Sequence, residues 1–166
     1  HWEWEGVYFR ILSPVIDSTL RGNNASCVLR VENDYGSVLL AGDIERPGET
    51  ALVRGGSPLH ATMLIAPHHG SRTSSSAAFV EAVRPKWVVF AAPRRSRWGF
   101  PDSAVVARWR SSGARTWTTG LSGPVLANFG ANGAPEHPVA WRCHPRRIWR
   151  YRACDPLATY SNSCDD

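Results

Sequence analysis

Lysine is almost missing from this chain of 166 residues. Of its 19 basic residues, Lys86 is the single lysine and the other 18 are arginine. No apolar run approaches the roughly 20 residues of a bilayer crossing, and no signal-peptide pattern is present at the start. We therefore expect one soluble domain with its own core. Because the first residue is His1, we also expect the chain to be part of a longer protein.

Cysteine is scarce as well, and no CxxC pair or zinc-ligand spacing occurs. Cys27 lies in the apolar run 27-CVLRV-31, which predicts a buried thiol. Cys143, Cys154 and Cys164 cluster near the end of the chain. They allow one disulfide in an oxidising compartment, and the spacing does not choose the partners.

Charge is distributed unevenly along the chain. Residues 1–60 hold eight acids and five arginines, a balance of −3, whereas residues 61–166 hold 14 bases and six acids, a balance of +8. Arginine presents a planar fork that suits phosphate, so a polyanionic partner is one interpretation. A GC-rich genome, which favours arginine codons, explains the composition equally well.

Apolar periodicity predicts strands first and then alternating strands and helices, which is typical of a layered α/β domain. Helices are predicted at 47–54, where Pro47 suits the first turn, from a Ser74–Ser76 cap to Pro85, and from an Asp102 cap to Gly113. The segment 15–26 is predicted to be a polar loop, and residues 131–166 an irregular tail rich in Arg and Cys. The predicted strands are 7–12, 27–31, 37–42, 62–66, 86–92, 114–118 and 124–129.

Three polar motifs stand at predicted strand ends. They are 23-NNAS-26 before a strand, and 42-GDIE-45 and 68-HHGS-71 after apolar strands. A carboxylate and an imidazole on neighbouring strand ends suit Zn²⁺ or Mn²⁺. Taken singly, each motif is explained as well by turn capping or backbone hydrogen bonding. The three together favour a metal site.

The runs 23-NNASCVLRVENDYGSVLLAGDIERPGE-49 and 65-IAPHHGSRTSSSAAFVEAVRPKWVVFAA-92 resemble the metallo-β-lactamase-like domain of the ComEC family, membrane proteins that internalise DNA in bacterial competence. The resemblance covers about residues 2–129 and includes the opening 2-WEWEGVYFRILSP-14. Its motifs are specific in combination, whereas HHGS alone is a weak signal. The resemblance implies an αββα sandwich hydrolase that degrades the DNA strand that is not taken up.

Residue by residue, the resemblance assigns Asp43 as a metal-bridging ligand and one of the two adjacent histidines as another ligand. We assign His69 to the metal and His68 to the scissile phosphate, as a contact or proton donor. Asn23 or Asn24, together with Ser26, falls where related hydrolases carry another histidine. These three residues and Ser71 are predicted to contact the substrate. The implied cofactor is Mn²⁺ or Zn²⁺, with no organic cofactor.

Two departures from the family pattern bear on activity. The main metal-binding cluster of the family, of the HxHxDH kind, does not occur in this chain, so residues 1–130 match only the C-terminal half of the domain. A family loop of the form Asn-Arg-Tyr-Gly-His-Pro-His reads 96-SRWGFPD-102 here, without either histidine. We expect the isolated chain to lack nuclease activity and to need the upstream half of its domain.

The same loop carries Arg94, Arg95, Arg97 and Trp98, which predict contacts to single-stranded DNA through phosphates and stacking. A solvated surface loop explains these residues equally well. The tail 141-WRCHPRRIWRYR-152 is a basic arm for DNA or anionic lipid, or an unstructured end. The resemblance places the domain at the periplasmic face of the inner membrane beside the membrane channel of its parent. Two functions stay open, a metal-dependent nuclease and a non-catalytic nucleic-acid-binding module.

Overall fold

A computed structural model of the chain describes residues 1–14, 18–130 and 138–140. In this part of the chain seven strands form one sheet in sequence order, and four helices follow or separate the later strands. The strands are β1 Trp2–Trp4, β2 Val7–Ser13, β3 Val28–Asn33, β4 Gly36–Leu40, β5 Met63–Ile65, β6 Trp87–Phe90 and β7 Arg115–Thr118. The helices are α1 Arg46–Arg54, α2 Ala77–Val83, α3 Ser103–Ser111 and α4 Thr119–Ser122.

The sheet is mixed. Strands β1 to β4 pair antiparallel, and β4 to β7 pair parallel. Parallel neighbours need a crossover connection, which α1, α2 and α3 provide. The carboxyl ends of β4 to β7 therefore lie at one edge of the sheet, the edge at which open α/β sheets bind ligands. The loops after these strands carry 42-GDIE-45, 68-HHGS-71 and the predicted DNA-binding loop.

One face of the sheet packs against the three crossover helices. Leu39, Leu64 and Val88 from successive strands are fully buried there against Phe79 of α2 and Trp109 of α3. The two aromatic rings meet edge-on, with centroids 6.4 Å apart. This apolar layer fixes the positions of the helices, and through them the loops at the carboxyl edge of the sheet.

The opposite face is covered only in part by the described residues. Around β5 and β6 it packs against the segment 125–129, within which β8 Val125–Leu126 pairs with β9 Val139–Ala140 in a separate two-stranded sheet. Around β1 to β4 the register aligns two apolar rows on this same face: Trp2, Phe9, Val31 and Val38, and Ile11, Leu29 and Leu40. Trp2 is 48% exposed and Ile11 52% exposed, so an apolar sheet face stays open.

The predicted α/β class, the hairpin of β3 and β4 and the three predicted helices are confirmed. The predicted caps are also present, since the Ser76 hydroxyl accepts a hydrogen bond from the N–H of Phe79 and the Asp102 carboxylate from that of Ala104. Among the described residues, no helix has both the length and the apolar character needed to cross a membrane.

Several local predictions were wrong or incomplete. Cys27 is exposed rather than buried, because the strand begins at Val28 and adjacent residues face opposite sides. Strand β1 and helix α4 were not predicted, part of the predicted loop 15–26 forms a 3₁₀ turn at Gly22–Ala25, and Val125–Leu126 lies outside the main sheet. Most of the predicted tail 131–166, with its three cysteines and its basic arm, lies outside the described residues. The described part of the tail includes Val139–Ala140, which forms a strand.

Candidate functional site

Asp43 and His69 lie side by side at the carboxyl edge of the sheet. Asp43 follows β4, His69 follows β5, and the two loops are tied together because the N–H of His68 donates to the carbonyl of Gly42 at 3.0 Å. Nε2 of His69 lies 3.5 Å from Oδ1 of Asp43. Both side chains are about half exposed, at 46% and 48%. The structure thus brings together the two side chains predicted as metal ligands.

The backbone of the histidine loop, residues 67–76, has an uncommon conformation. His68 has φ 46°, His69 φ 56° and Gly70 φ 83°, three left-handed residues in succession. Each such L-residue costs roughly 1–2 kcal/mol. The loop is held by hydrogen bonds from Ser74 Oγ to the Pro67 carbonyl and from the N–H of Asp102 to the Gly70 carbonyl, at 3.0 and 2.9 Å. Strain retained in this way is typical of functional sites.

The orientation of the His69 ring suits a metal ligand. Its Nδ1 lies 2.8 Å from the carbonyl of Ala91. A carbonyl can only accept, so Nδ1 carries the proton, and in the neutral ring Nε2 keeps its lone pair towards Asp43. Histidines that bind metals commonly donate their other nitrogen to a carbonyl in this way.

The spacing of the two atoms can be compared with metal geometry. With ligand distances of about 2.1 Å, two ligands of a tetrahedral ion lie about 3.4 Å apart. The 3.5 Å between Nε2 of His69 and Oδ1 of Asp43 fits one shared cation. Among the described residues, no cluster of three or more His, Cys, Asp or Glu side chains has metal-binding geometry. The described part of the chain therefore offers two candidate ligands, Asp43 and His69.

His68 lies against a carboxylate that the sequence did not reveal. Its Nδ1 is buried and lies 3.1 Å from Oε1 of Glu45, within ion-pair distance but without hydrogen-bond geometry. The same oxygen accepts a hydrogen bond from Thr73 Oγ1 at 2.7 Å, so Glu45 is held in place beside the His68 ring. Glu45 is the last residue of the motif 42-GDIE-45. From the sequence, only Asp43 of this motif was predicted to be a site residue.

Asn24 and Ser26 hold the Asp43 loop in place. Ser26 Oγ accepts from the N–H of Asp43 at 3.2 Å, and Asn24 Oδ1 accepts from the N–H groups of Glu45 and Gly48 at 3.0 and 2.9 Å. Asn24 thereby caps α1 from outside the helix. The carbonyl of Asn23 accepts from the N–H of Ser26. Contacts of these three residues with DNA stay a prediction.

Glu49 of α1 is fully buried and clamps the histidine loop to the helix. Its carboxylate accepts hydrogen bonds from the N–H groups of Ser75 and Ser76, the latter at 2.8 Å. Ser75, at φ 58°, in turn accepts from Arg108 at its carbonyl and from Trp109 Nε1 at its hydroxyl. Glu49 is the last residue of the run 23–49 quoted above, but no role was predicted for it from the sequence.

The remaining predicted residue of the histidine loop, Ser71, is inside the loop. Its side chain is 6% exposed and lies 3.0 Å from Thr73 Oγ1. Since Thr73 also donates to Glu45, the hydroxyl of Ser71 belongs to the chain of polar groups that leads to His68. Its predicted substrate contact is not tested by this placement.

Arg94, Arg95 and Arg97 are exposed in the loop after β6, here called the arginine loop. The Arg97 guanidinium lies 3.9 Å from the ring centroid of Trp98, which is 64% exposed. Trp98 stacks on Phe100 at 6.2 Å, and Phe100 stacks on His69 at 6.4 Å. Phe100, which is not among the predicted site residues, therefore connects the arginine loop to the histidines.

Asp102 closes this loop and is paired with Arg72, whose Nε and Nη2 lie 3.0 and 2.9 Å from Oδ2. Burial of Asp102 raises its pKa, but the hydrogen bonds from Arg72 and from the N–H of Ala104 outweigh that effect, so the pKa lies below its usual value of 3.8. The carboxylate stays charged and neutralised beside the histidine loop.

Curated proteins similar to this chain come from several bacteria, and no family model matches it. A protein of Escherichia coli (strain K12) named "Uncharacterized protein YcaI" is 38% identical over 133 residues, 80% of this chain and 18% of that protein. Competence protein ComA of Neisseria gonorrhoeae is 37% identical over 133 residues, 80% of this chain and 19% of that protein. Recombination protein 2 of Haemophilus influenzae is 36% identical over 128 residues, 77% of this chain and 16% of that protein.

This chain spans less than a fifth of the length of each of these curated relatives. One of the relatives is named as a competence protein, in agreement with the resemblance that the motifs predicted.

Proposed function

We propose that this chain is the C-terminal half of a metallo-β-lactamase-like nuclease domain in a competence DNA-uptake protein. The observation that carries the proposal is the pairing of Asp43 and His69 at 3.5 Å, with the second nitrogen of His69 engaged by the carbonyl of Ala91. The similarity to a competence protein over 80% of the chain supports the biological setting. The mixed sheet with helices on one face supports the fold.

In this proposal Asp43 and His69 hold Mn²⁺ or Zn²⁺. The metal, when bound, supplies Lewis-acid stabilisation of the phosphate and an activated water. His68, which lies beside Glu45, contacts the phosphate and donates a proton to the sugar oxygen that leaves when the phosphodiester bond is hydrolysed.

The remaining ligands come from the upstream half of the domain. Two protein ligands leave most of the coordination sphere of a metal to water, whereas catalytic zinc sites use three protein ligands. The open apolar face around Trp2, Phe9 and Ile11 is the surface on which the second sheet of an αββα sandwich packs. An exposed apolar face of this extent is typical of an interface.

Single-stranded DNA is the proposed substrate, and the arginine loop and Trp98 guide it. The exposed guanidiniums are suited to phosphates, and the exposed Trp98 ring is suited to a base. In the parent protein we place the domain at the periplasmic face of the inner membrane, beside the channel that moves the other strand.

The second candidate function is a nucleic-acid-binding module without catalysis. It is favoured by the two-ligand count and by the loop 96-SRWGFPD-102, which lacks the two histidines of the family pattern. The two functions differ in whether a protein that contains both halves of the domain cleaves DNA that it binds.

The test uses a protein that contains the upstream half together with this chain. We expect His69→Ala to remove metal and nuclease activity together, and His68→Ala to keep metal while slowing turnover by about 10²–10⁴-fold. His60→Ala, an exposed histidine before β5, is the matched control. Elemental analysis and a single-stranded DNA cleavage assay give the two readouts. Metal loss with His68→Ala but not with His69→Ala would reverse the roles, and metal-independent binding without cleavage would favour the binding module.

A further inference from the structure

Phe100 contacts both histidines of the histidine loop. Its ring centroid lies 5.6 Å from that of His68, with the rings edge-on at 66°, and 6.4 Å from that of His69, with the ring planes within 28° of each other. Both distances fall within the range of about 4.5–7 Å over which aromatic rings attract each other. Phe100 is half-buried, as expected for a ring that packs against neighbours on part of its surface.

The backbone around Phe100 is held against the histidine loop. The N–H of Asp102 donates to the carbonyl of Gly70 at 2.9 Å, and the Asp102 carboxylate is paired with Arg72 of the same loop. A Cβ atom at Gly70 would lie only 2.7 Å from Cβ of Pro101, so the two segments approach as closely as a glycine allows. Phe100 is therefore held in place independently of the rings that it contacts.

The two imidazoles need such a contact because polar anchors restrain them only in part. His69 donates from Nδ1 to the carbonyl of Ala91, but the last torsion of a histidine has broad minima, so one hydrogen bond leaves the ring free to tilt. Nδ1 of His68 has no hydrogen-bond partner among the described residues. The Phe100 ring lies against His69 and restrains the plane that the hydrogen bond leaves open, and its edge-on contact restrains the ring of His68.

We propose that Phe100 is a positioning residue of the candidate metal site. It holds the plane of the His69 ring so that Nε2 stays directed at Oδ1 of Asp43, 3.5 Å away, and it restrains His68 beside that pair. The effects on metal binding and turnover rest on the proposed function, whereas the effect on the His69 ring is a property of this chain by itself.

The first experiment is nuclear magnetic resonance of the full chain, with ¹⁵N-labelled histidines, at a pH at which the rings are neutral. We expect His69 to populate the single tautomer that carries its proton on Nδ1. Phe100→Leu keeps an apolar side chain but loses the flat ring, so the His69 ring should tilt, lose its hydrogen bond and populate both tautomers. Phe100→Tyr keeps the ring and should restore the single tautomer. A single tautomer that persists in Phe100→Leu would overturn the proposal.

The second experiment measures Zn²⁺ affinity by calorimetry in the protein that contains both halves of the domain. Residues that orient a metal ligand without touching the metal typically change metal affinity by about 10–100-fold, so Phe100→Leu should weaken Zn²⁺ binding by about tenfold or more. Phe100→Tyr should restore most of the affinity. Tyr35→Leu is the matched control, because it removes an exposed aromatic ring from the turn between β3 and β4. Circular dichroism and melting curves establish that each variant folds, and unaltered Zn²⁺ affinity in Phe100→Leu would refute the positioning role.

A kinetic measurement separates positioning from direct contact with the substrate, since Phe100 also stacks on Trp98. At saturating Zn²⁺, loss of a positioning residue should lower kcat for cleavage of a single-stranded oligonucleotide and leave KM nearly unchanged. Loss of a residue that only binds the strand should instead raise KM with kcat unchanged, and that result would overturn the proposal.

The inference and the proposed function fail separately. A two-half protein without metal-dependent cleavage would refute the nuclease, while a mixture of His69 tautomers in Phe100→Leu would still uphold the positioning of that ring. Cleavage that Phe100→Leu does not alter, together with an unchanged tautomer, would refute the positioning role and leave the nuclease standing.

Discussion

Removing the buried carboxylate of Glu49 should destabilise the chain strongly and loosen the histidine loop. Glu49→Ala leaves the buried N–H group of Ser75 and the half-buried N–H group of Ser76 without their acceptor. Each unsatisfied buried N–H costs about 1–3 kcal/mol, so the two together cost about 2–6 kcal/mol. A middle value of about 4 kcal/mol is a large part of the roughly 5–15 kcal/mol that stabilises a typical domain.

The assay is urea denaturation followed by circular dichroism, with Glu81→Ala as the matched control. Glu81 is also a helical glutamate, but it is 68% exposed and pairs with Arg84, which is similarly exposed. Exposed pairs contribute about 0–1 kcal/mol, so the control should change stability little. In thermal melting the Glu49 variant should lose roughly 8–16 °C, at about 2–4 °C per kcal/mol for a chain of this size.

The outcome also bears on the site. If the clamp holds the left-handed histidines, Glu49→Ala should weaken metal binding by the intact domain even though Glu49 does not contact the Asp43 and His69 pair. A loss of less than about 1 kcal/mol, no larger than that of the Glu81 control, would refute the reasoning. The loop conformation would then have to be held by its own hydrogen bonds.

Three further predictions concern metal, DNA and acid. The isolated chain should bind Mn²⁺ or Zn²⁺ weakly in calorimetry and lose that binding with Asp43→Ala; tight binding that survives the substitution would contradict the half-site. Replacing all three arginines of the arginine loop with alanine should reduce the salt slope of single-stranded DNA binding in fluorescence anisotropy by roughly 2, at about 0.7 per phosphate contact. Trp98→Ala should weaken binding with little change of slope, because stacking releases no counterions. Because the folded pKa of Asp102 lies below its unfolded value, its contribution to stability is present above pH about 4 and is lost as the pH falls through the folded pKa. Asp102→Asn should therefore flatten the acid limb of the stability profile, and an unchanged limb would exclude that role.

Local sequence determined the elements and their order. Alternating apolar residues gave the hairpin, and hydroxyl or carboxylate side chains at Ser76 and Asp102 marked helix starts, because capping needs only neighbours within a few residues. The sequence also predicted that Asp43 and His69 follow strands. Parallel strands with crossover helices place such residues at one edge, so the approximate location of the candidate site was predictable.

Tertiary structure alone decided which atoms meet. The ring orientation of His69 depends on the carbonyl of Ala91, which lies 22 residues further along the chain. From the sequence alone, Glu49 is expected to be a surface residue of a short helix. Only the packing of α1 against the histidine loop buries it and places its carboxylate against the N–H groups of that loop. Phe100 acquires its position between His69 and Trp98 through the fold of the loop after β6. Contacts between residues distant in sequence arise from the packing of whole helices and strands. Local apolar periodicity does not predict them.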